Sequence, residues 1–257
     1  MHKFEFFLPV LLAIICTSLT AEETRSVVSP AHKIALLELY TSEGCNSCPA
    51  AERWLGQLEK KGYTSDKVIP IALHVDYWDY LGWRDIYADP RHSQRQQQHV
   101  RRNRLATAYT PQLILDGKNL RPSRLLDSRL RKINAVDAEV EIRLSAGPVK
   151  NNQLTVTSHI NSTKKGLSRA EKLFLVLVED DINSRIKAGE NAGRTLKHHS
   201  VTRTFLKPVP LNNSKERAIQ KVILIPKDSN QEKLSIVAFV EAEPGNILQA
   251  VKLKLAD

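Results

Sequence analysis

The chain has 257 residues, of which 42% are hydrophobic, and its formal net charge is +10 at pH 7. This composition excludes a disordered chain and is sufficient for one large or two ordinary domains with a hydrophobic core. A basic chain can contact anionic surfaces, but the sequence contains no zinc-finger spacing, no aromatic-basic RNA motif and no basic tail. We therefore predict a basic solvated surface and no nucleic-acid partner.

The amino terminus has the features of a secretory signal peptide. Its apolar block, from Phe6 to Leu19, is too short for a membrane span, which needs about 20 residues. We predict a signal peptide over residues 1–21 that is cleaved after Ala21, with an uncleaved anchor as the alternative. The mature protein is then expected in the periplasm or secreted, without stable membrane insertion.

Two cysteines separated by two residues follow directly on a predicted strand. Residues 34–41 form an apolar run typical of a buried strand, and Cys45 and Cys48 come just before a pattern of apolar residues at i, i+3, i+4 and i+7. Pro49 fits the first turn of the helix that this pattern predicts, and Gly62 is a plausible stop. The order strand, turn, Cys-x-x-Cys and helix indicates a thiol–disulfide site.

The position of the first cysteine predicts its reactivity. We expect Cys45 to be exposed at the amino end of the helix, beside unpaired N–H donors and the positive end of the helix dipole. Such surroundings can lower a cysteine pKa from ~8.5 to roughly 3.5–7.5. We therefore predict Cys45 as the nucleophile and the better shielded Cys48 as the resolving cysteine.

Counting cysteines supports a chemical role for this pair. The only other cysteine, Cys16, leaves with the predicted signal peptide, so Cys45–Cys48 is the only intramolecular bridge open to the mature chain. A bridge that closes so small a loop contributes only about 2 kcal/mol to stability, less than a long-range bridge would. A redox-active cysteine pair is therefore favoured over a structural disulfide.

Three polar residues near the predicted dithiol are candidates for a proton relay: Glu38, His74 and Asp76. Glu38 interrupts the first apolar strand, and we favour a structural role, at a sheet edge or in an ion pair, over proton exchange with the dithiol. His74 and Asp76 share one face at the end of a second predicted strand, residues 68–75. Two potential ligands without a third are weak support for a metal site, so no metal and no cofactor are predicted.

An aromatic loop follows the second strand and contains Tyr77, Trp78 and Trp83. A loop after a strand lies at the carboxyl edge of an α/β sheet, where ligands bind. One interpretation is a rigid substrate-binding wall beside the dithiol. The other is a long connection that its own aromatic side chains pack onto the core. The sequence favours neither.

A strongly polar helix is predicted next. Asp89 and Pro90 form a good helix start, a cap followed by a first-turn proline. The helix carries a basic stripe at helical spacing: Arg91, Arg95, His99 and Arg102. We interpret this stripe as a solvated face, with an electropositive rim near Cys45 as the alternative.

The order of these elements, with Thr110-Pro111 before a further strand and a Gly-containing turn, resembles the thioredoxin fold. That resemblance implies that Pro111 is a cis-proline lying against the dithiol and that the backbone of Thr110 pairs with a bound peptide. More specifically, three motifs resemble a family of secreted bacterial proteins catalogued as thioredoxin-like domain of unknown function 1223. They are YTSEGCxxCP at residues 40–49, HVDYWDYLGW at residues 74–83 and YTPQ at residues 109–112. The family label carries no established substrate.

The second half of the chain has a different period. From Asp137 onward apolar and polar residues alternate, and seven short strands without helices predict an antiparallel β-sandwich. The predicted fold is therefore an α/β thioredoxin-like domain over residues 32–135 followed by an all-β antiparallel sandwich domain over residues 136–257. Residues 189–194 have no period and are expected to form a loop that faces the first domain.

Two adjacent histidines stand in one of the predicted strands of this half. Neighbouring residues of a strand point to opposite faces, so His198 and His199 would not bind one ion together. We expect them to be ordinary strand residues.

The leading functional hypothesis is a periplasmic or secreted thiol–disulfide oxidoreductase that acts on protein or peptide thiols and disulfides. Two alternatives stay open. One is a non-catalytic binding module on a thioredoxin scaffold. The other is a copper- or zinc-handling protein that uses Cys45, Cys48 and His74.

Overall fold

A computed structural model describes residues 24–163, 167, 170–212, 215–242 and 245–256. The predicted signal peptide, residues 1–21, lies outside the described residues, and so does Cys16. Among the described residues, no helix combines the length and the apolar character needed to cross a membrane.

The chain is mostly β-structure, with three α-helices in the described part of its first half. The helices are α1 (Cys48–Leu55), α2 (Pro90–Arg102) and α3 (Leu126–Asn134). The strands are β1 (Arg25–Val28), β2 (Ala35–Thr41), β3 (Val68–His74), β4 (Gln112–Leu115), β5 (Lys118–Asn119), β6 (Val140–Lys150), β7 (Gln153–Ser162), β8 (Lys172–Glu179), β9 (Ile182–Arg185), β10 (Thr195–His198), β11 (Val201–Phe205), β12 (Val209–Pro210), β13 (Glu216–Leu224), β14 (Leu234–Ala242) and β15 (Asn246–Lys254).

One mixed sheet of nine strands connects the two halves of the chain. Its order is β15-β14-β8-β11-β3-β2-β4-β5, with β12 paired to β8. The pairs β2–β3 and β3–β11 are parallel, and β2–β4 is antiparallel. Strands from both sides of residue 135 therefore share a sheet. The division into domains 32–135 and 136–257 stays a prediction.

The remaining strands form two antiparallel sheets, β1-β6-β7-β13 and β9-β10. Apolar residues of the four-stranded sheet pack with alternate residues of β8, β14 and β15 in the largest core. The two sheets thus pack against each other through their apolar residues. The fold is mostly β with antiparallel and mixed sheets, and the nine-stranded sheet continues into the first half of the chain.

Strand β2 lies at the centre of the molecule and serves two cores, because successive strand residues point to opposite faces. Leu37 and Leu39 pack with apolar residues of α1 and α3. Leu36 and Tyr40 pack on the other face, in the core that contains Phe174 and Phe239. All seven residues of β2 are buried, so the end of this strand positions the following Cys-containing turn rigidly.

Helix α2 buries polar side chains, which corrects the expectation of a solvated basic stripe. His92, Arg95, Gln96 and His99 are buried together with Val100, whereas Arg91 is exposed. The predicted start is as expected, since the side chain of Asp89 accepts a hydrogen bond from the backbone N–H of Arg91. A helix this poor in apolar residues packs through ion pairs and hydrogen bonds.

An ion-pair network centred on Arg95 holds α2 against the sheet. Its Nε and Nη2 donate to Glu38 over 2.7 and 3.0 Å, and Nη2 also donates to Glu241 over 2.8 Å. Burial alone would raise the pKa of Glu38, but Arg95 and then His99 hold that pKa well below its usual range. Glu38 is thus a buried, ionised partner of Arg95, as the structural interpretation of this residue predicted.

Candidate functional site

A disulfide joins Cys45, in the connection between strand β2 and helix α1, to Cys48 at the start of α1. The Cα atoms of the two cysteines are 5.5 Å apart. Cys48 is the first residue of α1, Pro49 occupies the first turn, and Cys45 precedes the helix. The Oγ atom of Ser47 lies 3.3 Å from the Sγ atom of Cys45. The predicted pairing at the amino end of a helix is therefore present, although α1 ends at Leu55 and only a 3₁₀ turn continues toward Gly62.

The disulfide lies beneath the surface, which corrects the expectation that Cys45 is exposed. Cys45 is 1% exposed and Cys48 is fully buried. The two residues between them, Asn46 and Ser47, are exposed. The pair is therefore separated from solvent by the polypeptide immediately around it.

The segment Gly189–Gly193 covers the turn that carries Cys45. Asn191 is fully buried and donates from Nδ2 to the backbone carbonyls of Glu43, over 2.8 Å, and Cys45, over 3.0 Å. Glu190 accepts a hydrogen bond from the backbone N–H of Asn46 over 3.0 Å. Both glycines at the ends of this segment have positive φ, 73° and 79°, a conformation that favours glycine. The expected loop facing the first half of the chain is confirmed.

Replacing Asn191 should loosen this cover. Asn191→Ala removes two hydrogen bonds and leaves the buried carbonyl of Glu43 without its donor, whereas the carbonyl of Cys45 keeps the backbone N–H of Cys48. We therefore expect the free energy of unfolding to fall by about 2–3 kcal/mol. We also expect the Cys45–Cys48 bridge to react faster with a small reductant such as dithiothreitol. The matched control is Asn183→Ala, on the exposed face of β9. Equal reduction rates in both variants and the wild type would contradict a covering role.

The aromatic loop connects the turn of the cysteines to Thr110 and Pro111. Trp78 is half-buried, and its Nε1 donates to Thr110 Oγ1 over 2.7 Å. A methyl group added at Gly44 would lie 3.2 Å from the Cβ atom of Trp78. The Thr110–Pro111 peptide bond is cis. Trp78 therefore bridges the residue before Cys45 and the residue before the cis-proline.

Two other predicted residues of this segment, Tyr77 and Asp76, lie around Trp78. Tyr77 is half-buried and donates to Gln96 over 3.1 Å, and Gln96 donates to the backbone carbonyl of Tyr109 over 2.8 Å. Asp76 accepts a hydrogen bond from Ser93. The aromatic residues thus pack onto α2 and the cis-proline loop, while retaining partly exposed faces.

Trp83 links the loop to a buried cluster of ionisable side chains beneath the cysteines. Its Nε1 donates to Glu43 Oε2 over 2.7 Å. The cluster consists of Glu43, Glu52, His74, Asp85 and His198, all of them 2% exposed or less. Because Glu52 stands four residues after Cys48 in α1 and both are buried, the two side chains share the buried face of the helix.

His198 lies between two carboxylates of the cluster. Its Nδ1 donates to Glu52, whose other oxygen accepts from Thr41 over 2.6 Å. Its Nε2 lies 3.2 Å from Glu43 Oε1. Burial alone would lower the pKa of His198, but Glu43 and Glu52 raise it to about 10. Burial likewise works against the ionised Glu52, yet His198 brings the pKa of Glu52 below its usual value. The carboxylates on its two sides therefore favour the protonated form of the His198 imidazole.

His74 belongs to the same cluster through Asp85. Its Nδ1 lies 2.6 Å from Asp85 Oδ2, and the two oxygens of Asp85 accept from the backbone N–H groups of Glu43 and Tyr87. Despite burial, Asp85 raises the pKa of His74. The imidazole rings of His74 and His198 meet edge to face, with centroids 5.3 Å apart. The structure thus groups His74 with Glu52 and His198 instead of with Asp76.

Several of these residues were missed from the sequence. Glu52 could have been predicted from the sequence, because it stands one helical turn after Cys48 and so lies on the same face of the helix. Glu43 and Asp85 lie in or beside the motifs at residues 40–49 and 74–83. His198 was interpreted as an ordinary strand residue, since its two carboxylate partners are far away in the sequence. The part of the chain that the structure describes places no cysteine among the potential metal ligands it groups together.

The comparisons with known proteins identify a family and a fold. A family model described as "Protein of unknown function (DUF1223)" matches residues 36–241. No curated protein matches the chain. A crystal structure of protein AGR_C_4864 from Agrobacterium tumefaciens is similar, with 21% identity, 87% of this chain and 96% of that chain covered, and a TM-score of 0.61. HBP35 of Porphyromonas gingivalis is similar with 16% identity, 88% of this chain and 76% of that chain covered, and a TM-score of 0.65. At these identities the two structures support the fold alone.

Proposed function

The chain belongs to the family of proteins of unknown function DUF1223, and we propose that it is a thioredoxin-like thiol–disulfide oxidoreductase. The observation that carries the proposal is the Cys45–Cys48 pair at the amino end of α1. It is the only cysteine pair among the residues that the structure describes, and it closes a loop too small to add much stability. Such a pair is better suited to thiol–disulfide exchange than to stabilising the fold.

The reaction transfers two electrons between this pair and a substrate. In the reducing direction the Cys45 thiolate attacks one sulfur of a substrate disulfide, a Cys45–substrate bond forms, and the other substrate sulfur leaves as a thiolate. The Cys48 thiolate then attacks Cys45 Sγ, which forms the Cys45–Cys48 bridge and releases the second substrate thiol. The same steps in reverse donate the bridge to a substrate dithiol. The hydroxyl of Ser47 and the amino end of α1 stabilise the Cys45 thiolate.

The thioredoxin-like interpretation draws support from the elements around the pair. Strand β2 leads into the cysteine turn and α1, β3 lies parallel to β2, and β4 lies antiparallel to it. The cis bond of Pro111 directly precedes β4. Trp78 ties Thr110 to the turn of Cys45, so a peptide that pairs with the backbone of Thr110 would lie beside the disulfide.

Substrate access requires a local opening, because the Cys45 sulfur is buried. Asn46 and Ser47 are the exposed residues nearest to it in the chain. The segment Gly189–Gly193 is held to the cysteine turn by Asn191 and by the exposed Glu190. Movement of this segment, with Tyr77, Trp78 and Trp83 as the adjacent contact surface, admits an extended peptide.

The substrates in this proposal are protein or peptide thiols and disulfides in the periplasm or outside the cell. The apolar block after the amino terminus supports export, since it has the length of a signal peptide core. Disulfide chemistry of this kind operates in oxidising compartments. No cofactor is needed, because the cysteines themselves carry the electrons.

Trapping the mixed disulfide tests the proposal. Cys48→Ser lacks the resolving thiol, so a substrate attached to Cys45 should accumulate when the reduced variant meets an oxidised peptide. The matched control is the double variant Cys45→Ser/Cys48→Ser, which should trap nothing. A Cys48→Ser protein that is fully folded, reduced and accessible to a small alkylating reagent, yet forms no adduct with disulfide peptides, would overturn the proposal.

A further inference from the structure

We propose that Glu52, His74 and His198 form a binding site for a divalent transition-metal ion, with Zn²⁺ as the ion that these ligand types fit best. The site uses neither cysteine sulfur, so it does not depend on the redox chemistry of Cys45 and Cys48. It also differs from a metal site made of Cys45, Cys48 and His74, which the sequence alone suggested as an alternative.

The three side chains converge from three elements. Glu52 comes from α1, His74 ends β3 and His198 ends β10. Each offers a ligand atom, and these atoms lie within 4.8 Å of one another. Ligand atoms on a tetrahedral zinc ion, with bonds of about 2.0–2.1 Å, are roughly 3.3 Å apart. Small side-chain movements would therefore bring the three ligand atoms to bonding distance from one ion. Two imidazoles and one carboxylate are an established set of protein ligands for zinc.

His74 is prepared for coordination by its partner Asp85. The carboxylate of Asp85 is fixed by two backbone N–H groups and accepts from Nδ1 of His74. This arrangement places the proton on Nδ1 and leaves Nε2 as the coordinating atom, as in carboxylate–histidine–metal triads. Nε2 of His74 is buried and has no hydrogen-bond partner among the described residues. A buried polar atom without a partner is costly, and a metal ion supplies that partner.

The charges of the cluster also fit a divalent cation. Three carboxylates, Glu43, Glu52 and Asp85, surround two imidazoles. With all three carboxylates ionised and both imidazoles neutral, the cluster has a net charge of −3. One divalent cation changes this net charge to −1, as two added protons would. Glu43 Oε1 is buried without a hydrogen-bond partner among the described residues and lies 3.2 Å from His198 Nε2.

Titration of the oxidised protein with Zn²⁺ and Co²⁺ tests the site. After dialysis against a chelator, the full-length protein without reductant should bind one ion per chain by calorimetry and elemental analysis. The ion should raise the unfolding temperature, because it binds the folded state. The Co²⁺ complex should show visible absorption typical of nitrogen and oxygen ligands, without sulfur-to-cobalt charge transfer.

The variants separate this site from the cysteines. His74→Gln and Glu52→Gln should abolish stoichiometric binding, and Asp85→Asn should weaken it about 10- to 100-fold through the orientation of His74. His199→Gln, at the half-buried neighbour of His198, and the double variant Cys45→Ser/Cys48→Ser should bind as the wild type does. Circular dichroism checks that each variant is folded.

Three results would overturn the proposal. The first is a wild-type protein that takes up no Zn²⁺ or Co²⁺. The second is binding that survives in folded His74→Gln and Glu52→Gln proteins. The third, which requires no variant, is a Co²⁺ spectrum dominated by thiolate charge transfer.

Discussion

Cys45→Ser should reduce disulfide exchange to the rate of the uncatalysed reaction. The variant lacks the sulfur that attacks the substrate in the proposed mechanism, and a serine hydroxyl at this position has no comparable acidity. The measurement is reduction of insulin with dithiothreitol as electron donor, followed by turbidity. Because the wild-type bridge contributes only about 2 kcal/mol, the variant should stay folded under assay conditions.

Comparison with Cys48→Ser makes this result specific. Cys48→Ser should also lose turnover, but it should still form a single mixed disulfide with substrate, which Cys45→Ser should not. Full insulin-reducing activity in Cys45→Ser would show that the nucleophile is assigned wrongly. Equal trapping by both variants would show that the two thiols have no separate roles.

Arg95→Ala should cause the largest loss of stability of any substitution considered for this protein. Arg95 is the shared partner of Glu38 and Glu241, and its removal leaves the buried Glu38 without a guanidinium and Glu241 with Arg102 only. Breaking a buried ion pair from one side costs about 3–5 kcal/mol. The guanidinium also lies over the ring of Phe174, 5.1 Å from its centroid, so a packing contact is lost as well.

Urea denaturation measures this loss. The control is Arg101→Ala, an exposed arginine of the same helix, which should change the free energy of unfolding by roughly 0.5 kcal/mol or less. The deficit of Arg95→Ala should shrink as the pH is lowered, because burial without Arg95 favours a protonated Glu38, whereas in the wild type the ionised Glu38 contributes stability that is lost as the pH falls. A deficit no larger than that of the control would contradict the network.

The elements that sequence patterns predicted well are those in which local pattern and tertiary environment agree. Residues 34–41 and 68–75 are mostly aliphatic, and both segments contain buried strands of the central sheet. The Cys-x-x-Cys turn was predictable for the same reason, because a proline and an amphipathic pattern follow it directly.

Contacts between distant residues account for most of what the sequence did not reveal. A helix rich in arginine, glutamine and histidine is expected on the surface, yet one face of α2 is buried because Arg95 meets Glu241, 146 positions away. Glu52 and His198 are also 146 positions apart, so neither residue indicates the other. The parallel pairing of β3 with β11 merges the two halves into one sheet, and no local period encodes it.

The burial of the cysteines is the finding that most alters the sequence-based picture. The position of the cysteines at the amino end of a helix was predicted from Pro49 and the apolar pattern, and the structure has the cysteines there. Exposure was inferred from the same pattern and is wrong, because Asn191 and the aromatic loop cover the turn. In the proposed mechanism, reaction of the pair with a substrate therefore requires that this cover opens.

A redox titration of the Cys45–Cys48 pair tests the central claim most directly. The wild-type protein is equilibrated with glutathione or dithiothreitol buffers of known potential, and free thiols are counted by alkylation and mass spectrometry. Stabilisation of the Cys45 thiolate favours the reduced form, so we predict reversible titration within the range of thiol–disulfide oxidoreductases, roughly −270 to −120 mV. A midpoint below about −300 mV, the range of structural disulfides, would contradict the account.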